Sequence, residues 1–444
     1  MKSIAIAALV LCGCVLPTLV SAQPRNGDAE RFWGQWRGPN ATGVAPLGDP
    51  PLEWSETKNV RWKIKVPGHG SASPIVWGDL LFVLTAVPVG EPVQRQGGGG
   101  QRRGSAQPIP MHEFIILAIN RHTGQVVWQR VACTDRPHEG HQLPNGTFAS
   151  GSAVTDGEHV YAYFGSRGLY AYDMQGNLQW ERDFGTKFQR SAFGEGSTPA
   201  LYENTLVITW DHLGGQSFTI GVDKRTGEEL WRADRDEIDT WATPLIVEHE
   251  GRLQVITPAM NHVRSYDLET GELVWQSRGA TMNAIPSPVA ADGMVFVTSG
   301  FRGNSLQAIR LAGAKGDITE SDAIVWTLDR DTPYVPSPLL YGDTLYILKT
   351  NSGILSAFDP KTGEAHYRLQ RLAGVPNVFA SPVGAADRVY IPGREGTTLV
   401  IRRGPKFEVL SSNTLDDGFD ASPAIVGNEI YLRGYTYLYA IAED

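Results

Sequence analysis

Cysteine is scarce in this 444-residue sequence, which contains only three. Cys12 and Cys14 lie in an N-terminal leader, so Cys133 stands alone in the rest of the chain. Once the leader is removed, no disulfide can form within the chain, even in an oxidising compartment.

Positive charge is also in short supply. The chain has 39 Lys and Arg against 48 Asp and Glu, a formal net charge of -9. Because Lys2 is the only charge in the first 22 residues, removing them would leave a net charge of -10. This balance argues against a nucleic-acid partner, which would favour a basic surface.

Several sequence signatures of catalysis are missing. The chain has no Gly-x-Ser-x-Gly, no His-Glu-x-x-His and no P-loop, so nucleophilic, zinc-protease and nucleotide chemistry have no support. His138 and His141, with Cys133 nearby, lie in a loop that lacks the helical geometry of a zinc-protease motif and an evident fourth ligand. We therefore predict no metal site.

The long apolar run of the sequence lies at its start. Lys2, the run Ile4 to Val20 and the small residues up to Ala22 have the layout of a secretory signal peptide over residues 1–22. We expect cleavage after Ala22, a periplasmic or secreted protein, and no transmembrane segment in the mature chain. Two alternatives stay open, an uncleaved membrane anchor and a lipid anchor at Cys14, because residues 11–14 resemble a lipobox.

A nine-residue unit recurs along the chain and predicts β-hairpins. Each copy begins with Asp or Asn, which caps an Asx-type turn, continues through a Gly suited to positive φ, and ends on an aromatic residue. The copies are Asn120 to Trp128, Asp223 to Trp231, Asp267 to Trp275 and Asp359 to Tyr367, with a shorter form from Asp173 to Trp180.

A second recurring phrase is Ser-Pro or Thr-Pro followed by a short apolar run. It occurs at Ser73, Thr198, Thr243, Ser287, Ser337, Ser381 and Ser422, with an eighth copy at Ser152 that lacks the proline. From residue 153 onward the copies lie 41 to 50 residues apart. A period in the forties with four short strands per unit predicts an all-β fold, an eight-bladed β-propeller.

The chain ends predict how the ring closes. The last repeat supplies three strands, and residues 59–66 alternate apolar and polar positions like a missing outer strand. We therefore predict a propeller over 59–444, closed by the pairing of these segments and preceded by an extended arm over 23–58. A Gly-rich flexible insert at 87–112 and a long inter-blade loop at 131–150 decorate one face, which becomes the candidate working surface.

Polar residues in turns and inter-blade connections of this face are the candidate ligand-binding set. Arginines with scattered carboxylates suit a ligand that carries carboxylate or phosphate groups. The alternative for each arginine is a solvated or neighbour-paired side chain. The set is Arg167, Glu195, Asp211, His212, Asn261, Asn283, Arg302, Tyr334, Asn351, Asn377, Arg394 and Arg433.

The Asp-x-x-Thr-Gly-x-x-x-Trp units resemble the tryptophan-docking repeats of the quinoprotein-like, or PQQ-repeat, propellers. The segment Trp33-Gly-Gln-Trp36-Arg-Gly-Pro-Asn is similar to the arm of secreted bacterial members. The resemblance covers nearly the whole mature chain and implies the propeller fold. The superfamily includes quinoprotein alcohol dehydrogenases and the outer-membrane assembly factor BamB.

The resemblance implies different chemistry for different members. Its dehydrogenases hold PQQ and calcium in the funnel, with a catalytic Asp, a Trp platform and typically a vicinal disulfide. This sequence has no Cys-Cys pair and no recognisable match to their Glu, Asn and Asp calcium set, so no catalytic residue can be assigned and no cofactor is expected.

We therefore expect an exported, non-catalytic, BamB-like binding or assembly scaffold, monomeric, that recognises an envelope protein or a small polar or anionic ligand at the funnel. The alternative is a PQQ-dependent oxidoreductase acting on an alcohol or sugar, or a degenerate relative that binds a small ligand.

Overall fold

A computed structural model describes residues 26–90, 109–142 and 146–443. Eight sheets of at least four strands surround a common axis, which confirms the predicted eight-bladed β-propeller. The first strands of successive blades contact one another and are therefore innermost. The helices of the described residues are the α-helix Asn26–Arg31 and the 3-10 helices Pro39–Ala41, Gly165–Arg167 and Arg190–Ala192.

We number the blades in chain order, and each runs from its innermost to its outermost strand. Blade one contains Ile75–Trp77, Leu80–Val89, Met111–Asn120 and Val126–Asp135. Blade two contains Val154–Thr155, His159–Tyr163, Leu169–Asp173 and Leu178–Arg182. Blade three contains Ala200–Tyr202, Thr205–Trp210, Ser217–Asp223 and Glu229–Arg235. Blade four contains Leu245–His249, Arg252–Pro258, His262–Asp267 and Leu273–Arg278.

The second half of the ring repeats this order. Blade five contains Val289–Ala291, Met294–Ser299, Ser305–Arg310 and Ile324–Leu328. Blade six contains Leu339–Tyr341, Thr344–Leu348, Ile354–Phe358 and Ala365–Arg371. Blade seven contains Val383–Ala385, Arg388–Pro392, Thr397–Arg402 and Val409–Thr414. Blade eight contains Ala424–Val426, Glu429–Arg433, Tyr437–Ala442 and, from the start of the chain, Val60–Lys65.

Ring closure is the predicted one. Val60–Lys65 pairs antiparallel with Tyr437–Ala442, with Val60 opposite Ile441 and Lys65 opposite Tyr437. A strand from the front of the chain thus completes the last blade, and this removes two exposed sheet edges.

A closed ring of hydrogen bonds surrounds the axis at the start of the first strands, and we call it the hydroxyl ring. In each of its eight residues the backbone N–H donates to the side-chain hydroxyl of the equivalent residue in the next blade, over 2.8 to 3.1 Å. Its members are the Ser and Thr residues of the second sequence repeat, Ser73, Ser152, Thr198, Thr243, Ser287, Ser337, Ser381 and Ser422.

The recurring hairpin turn docks one blade onto the next. In blade three, Asp223 Oδ1 accepts the backbone N–H groups of Arg225 and Thr226, the predicted Asx turn. The following Gly227 has φ of 74°, and a Cβ there would lie 2.6 Å from the indole of Trp180 in blade two. The Trp180 Nε1 donates to Lys224 O over 3.0 Å. Glycine is thus required both by conformation and by the packed tryptophan.

Blade five departs from this pattern. Between its third and fourth strands a segment adds the strand Gly316–Asp317, parallel to Leu273–Arg278 of blade four. Leu311 and Ile318 of this segment pack in the same core cluster as Trp275. The Trp275 Nε1 donates within its own blade, to Gln254 Oε1. The inserted segment therefore replaces the turn that docks the other tryptophans.

The arm follows the inner strands and closes the axis. Trp33 is fully buried and forms a bridge with Val76 of blade one. Val44–Ala45 pairs parallel with Val383–Ala385, the innermost strand of blade seven. Trp54 then stacks on Tyr390 at a ring-centroid distance of 6.3 Å. The arm is therefore part of the core.

The two decorated regions are partly described. Pro88 pairs with His112 in blade one, so both ends of the predicted insert 87–112 continue the strands. Residues 131–135 of the predicted loop 131–150 likewise belong to a strand. Residues 91–108, 143–145 and the predicted signal peptide 1–22 lie outside the described residues. No helix in the described part of the chain has the length and apolar character to cross a membrane.

A buried carboxylate stabilises the closure of the ring. Glu429 of blade eight, with a side chain 5% exposed, pairs with Arg61 of the closing strand and with Arg121 of blade one, the latter over 2.5 Å. Tyr431 also donates its hydroxyl to this carboxylate. One acidic side chain thus joins the two ends of the ring.

We expect Glu429→Gln to lower the free energy of unfolding by about 3 kcal/mol, because two guanidinium groups lose their buried carboxylate. Urea denaturation measures this change. The control is Glu408→Gln, which removes an exposed pair with Arg402 and should change stability far less. Similar losses of unfolding free energy in the two variants would contradict the conclusion that Glu429 stabilises the closure of the ring.

Candidate functional site

A cavity of about 210 Å³ lies at the loop end of the axis. We call it the funnel. Six members of the hydroxyl ring line it, with the arm residue Trp36. Since the arm threads the inner strands below the ring, we place the floor of the funnel at the hydroxyl ring and Trp36.

A buried guanidinium lies beside the floor. Arg37 is 2% exposed and donates to Pro382 O over 2.7 Å and to Pro338 O over 2.9 Å, the residues that directly follow two ring serines. Burial lowers the pKa of Arg37 to about 9. Its carbonyl partners tie the arm to blades six and seven and so hold Trp36 in place.

The wall of the funnel follows a simple rule. Every blade contributes the residue two positions before its hydroxyl-ring member, because the chain enters the innermost strand there. We call these residues the wall ring. In order from blade four to blade three they are Trp241, Ile285, Val335, Phe379, Asp420, Ser71, Ser150 and Gly196.

The wall ring is divided into two halves. Blades four to seven contribute large apolar side chains, and blades eight, one, two and three contribute an acid, two serines and a glycine. The funnel therefore presents one apolar side and one polar side to its contents.

A buried amide adds hydrogen-bonding capacity on the apolar side. Asn283 is fully buried in the wall, with φ of 58°, a conformation that Asn tolerates better than most residues. Its Nδ2 donates to the Tyr334 hydroxyl over 3.4 Å. Its Oδ1 has no hydrogen-bond partner among the described residues, so a donor from a ligand would satisfy it.

The two acidic side chains in the described lining of the funnel are both held by cations. Asp420 pairs with Arg394 over 2.9 Å, although burial raises the pKa of Asp420. Glu195 lies 3.6 Å from the buried Lys187 and accepts the Ser166 N–H over 3.0 Å. Neither Lys nor Arg is among the described residues that line the funnel.

A small side pocket of about 40 Å³ adjoins the funnel through Glu195. Burial raises the pKa of its Glu139 to about 7, and the Gln189 N–H that donates to this carboxylate opposes the shift. His138 binds Lys187 O over 2.7 Å, and burial lowers the pKa of this histidine.

The structure brings four of the twelve predicted site residues to the funnel, namely Glu195, Asn283, Tyr334 and Asn351. Arg394 reaches it indirectly through Asp420, and its guanidinium lies 4.2 Å from the ring of the wall residue Phe379. Asn377 is exposed and donates to Glu395 over 2.6 Å.

The other predicted residues occupy different surroundings. Asp211 is fully buried in an ion pair with Arg235 at 2.7 Å. Arg433 is buried and donates to Ala72 O and Leu84 O, and burial lowers its pKa to about 9. Arg167 pairs with Asp135 in the side-pocket region.

Three more predicted residues lie in exposed or partly exposed turns. His212 accepts the N–H of Phe188, and the two rings stack. Asn261 donates to Asp236 O. Arg302 is exposed and lies 5.5 Å from the ring of Phe301. The arginines therefore do not form a ring around the funnel. The turns between second and third strands lie farther from the axis than the connections that enter the first strands.

Sequence reasoning missed most of the wall and the floor. The missed residues with large side chains are Trp36, Gln142, Phe193, Trp241, Ile285, Val335, Phe379 and Asp420. The signal for the wall was present, because five of these residues precede the Ser/Thr-Pro repeat by two positions. Nothing in the repeat marked Trp36, which reaches the axis through the arm.

Two groups of potential metal ligands occur in the described residues, and each already has a cation. Asp156, near Glu158 and His159, pairs with Lys224 over 2.7 Å. Asp236, Glu237 and His262 surround Arg264, which pairs with both acids. Neither group lies on the funnel.

The sequence is similar to one family model and to two characterised proteins. A family model described as "Outer membrane protein assembly factor BamB" matches residues 52–197, 112–219 and 216–443. The tetrathionate hydrolase of Acidithiobacillus ferrooxidans is 22% identical over 352 residues, which cover 72% of this chain and 67% of that protein. The BamB of Shewanella oneidensis is 25% identical over 305 residues, which cover 65% of this chain and 66% of that protein. The chain thus spans about two thirds of the length of both relatives.

A solved structure shows the same fold. The quinohemoprotein alcohol dehydrogenase from Comamonas testosteroni superposes with a TM-score of 0.66 and 11% identity, over 94% of this chain and 81% of that chain. At this identity the likeness concerns the fold alone.

The raised pKa of Glu139 predicts a pH-dependent stability. Between its ordinary value of 4.5 and about 7 the unfolded chain has released this proton and the folded protein has not, so stability falls as pH rises through that window. We expect Glu139→Gln to remove this fall, and the difference in melting temperature, variant minus wild type, to increase from pH 4.5 to 7.

Glu408→Gln is the control of opposite sign, because its hydrogen bond with Arg402 lowers the pKa of Glu408. The stability this contact contributes is lost as pH falls below 4.5. A Glu139 variant whose melting temperature follows the wild type in parallel across the window would show that Glu139 is not held in its neutral form.

Proposed function

Because the chain belongs to the PQQ-repeat propeller family whose model is described as outer membrane protein assembly factor BamB, we propose that it is an exported binding scaffold of the bacterial envelope. It acts without catalysis and recognises its partner on the funnel face. We place it in the periplasm, where assembly of outer-membrane proteins takes place. The observation that carries this proposal is the funnel, a cavity floored by the hydroxyl ring and Trp36 and reached from the loop face.

Exposed apolar side chains around the funnel support a protein partner. Phe188 is 46% exposed, Leu213 41% and Tyr435 49%, and all three lie in connections or turns of the funnel face. Phe188 and Leu213 are neighbours, joined by a backbone hydrogen bond of 2.9 Å. Neighbouring exposed aromatic and aliphatic residues on one face, such as Phe188 and Leu213, are typical of recognition surfaces.

Photocrosslinking tests this proposal. We expect p-benzoylphenylalanine at position 188 or 213 to give discrete adducts with an envelope protein in cells that export the chain. The matched control is the same group at Leu47, which is 63% exposed on the arm side of the ring. Adducts at position 47 alone, or at none of the three positions, would overturn the proposal.

An oxidoreductase is the alternative that the fold raises, and the funnel lining does not fit its cofactor. PQQ carries three carboxylates, and the described lining offers the acids Glu195 and Asp420 but no Lys or Arg. Because Arg394 and Lys187 already pair with these two acids, the carboxylates of such a ligand would find no cationic partner in the described lining. Tetrathionate, a dianion, meets the same obstacle.

We therefore expect purified protein incubated with PQQ and calcium to give no absorbance of bound quinone after gel filtration and no dye-linked oxidation of alcohols or sugars. The same treatment of a quinoprotein alcohol dehydrogenase is the positive control. Stoichiometric quinone retained by this chain would refute the scaffold assignment.

A further inference from the structure

We propose that the funnel binds a neutral carbohydrate, with one pyranose ring inserted between the two halves of the wall ring. This inference rests on the proposed function in one respect, that the funnel is the recognition site. It goes further by naming the chemical class of the ligand, and its evidence comes from the shape and polarity of the cavity.

The divided wall matches the two sides of a pyranose. A sugar ring has a face of C–H groups, which packs on aromatic and aliphatic surfaces, and an edge of hydroxyl groups, which needs hydrogen-bond partners. Blades four to seven supply the apolar side, with Trp241 and Phe379 as its aromatic members. Blades eight to three supply the polar side, with Asp420 and two serines. A ligand that is apolar throughout would leave the polar side without partners.

The hydrogen-bonding groups of the funnel are both donors and acceptors, as a hydroxyl-rich ligand requires. Asn283 Oδ1 is a buried acceptor without a partner in the described residues. The six hydroxyls of the floor each accept a backbone N–H and still carry a proton to donate. A sugar hydroxyl both donates and accepts, so it can satisfy either kind of group.

The aromatic side is fixed before any ligand arrives. Trp241 donates from Nε1 to Gly194 O over 2.7 Å and from its backbone N to Ala284 O over 2.9 Å. Its indole is half-buried, so one part of its surface remains available to the funnel. Tyr334 is stacked on Phe301 at a centroid distance of 4.7 Å. A wall held in this way lowers the entropic cost of binding.

Charge and size set the limits of the ligand. Since Asp420 and Glu195 both face cations and no Lys or Arg lines the cavity, an acidic sugar gains no partner there. A cavity of about 210 Å³ is on the scale of a ring-sized ligand and not of a protein domain. The funnel therefore suits the terminal unit of a neutral glycan.

Saturation-transfer NMR with maltotriose, cellotriose and triacetylchitotriose at about 10 mM tests the proposal, with titration calorimetry for any trisaccharide that gives a signal. We expect at least one to bind. Sorbitol, which has the hydroxyls without a ring face, and trigalacturonic acid, which is anionic, should bind at least about tenfold more weakly.

Two variants locate the site. Trp241→Ala removes one of the two aromatic members of the wall ring. Asn283→Gly removes the free acceptor and keeps a residue that tolerates the φ of 58° at this position. Each variant should raise the Kd at least about tenfold. Tyr202→Ala, an aromatic deletion at the other end of blade three, is the control and should leave the Kd unchanged. Melting curves confirm that each variant is folded. If Trp241→Ala unfolds, Asn283→Gly decides.

A free oligosaccharide and an envelope glycan would present the same chemistry to the funnel. Co-sedimentation of the protein with purified peptidoglycan sacculi distinguishes these two sources of the ligand. Sedimentation that Asn283→Gly abolishes, without trisaccharide binding, identifies a polymer as the source. Binding of neither trisaccharides nor sacculi, or binding that both funnel variants leave intact, overturns the proposal. If the sugar proposal fails in this way, photocrosslinks at position 188 would still support the scaffold function, with no sugar as its ligand.

Discussion

Eight backbone N–H groups around the axis each donate to a hydroxyl of the next blade, and the last returns to the first. Each member is at once donor and acceptor, so the loss of one contact leaves two buried groups unpaired. The Pro that follows seven of the eight members fixes φ and has no N–H of its own. The ring therefore sets the distance of every blade from the axis, and with it the diameter of the central space.

The funnel takes its form from this ring. The residue two positions upstream of each member has to face the axis, because the chain there turns into the innermost strand. A propeller of this kind is thus free to vary its funnel through eight positions without disturbing its frame. In this chain the eight positions divide into an apolar half and a polar half, and the arm closes the axis with Trp36 and Arg37. The lining of the funnel is in this way separated from the stability of the frame.

Much of the frame could be predicted from the sequence, because the frame consists of repeats. The Asp-Thr-Gly turns, the anchor tryptophans and the closing strand Val60–Lys65 all follow from spacing and from pairing rules. The role of the recurring Ser and Thr could not be predicted, since a hydrogen bond between blades has no signature within one blade. Arg433 shows the same limit, because its turn resembles the exposed ones and only the packing of blades one and eight buries it. The arm contains no sequence repeat, so its course could not be predicted. The contribution of the arm to the floor of the funnel could therefore not be predicted either.

Native-state hydrogen exchange tests the central claim most directly, with peptides that cover the eight members of the hydroxyl ring read by mass spectrometry. If the ring is one closed unit, the amides of all eight members exchange at a single slow rate that equals the rate of global unfolding, the pair across the closure from Ser422 to Ser73 included. Faster exchange at Ser422 and Ser73 than at the other members would show that the ring opens at its closure, and would contradict the account.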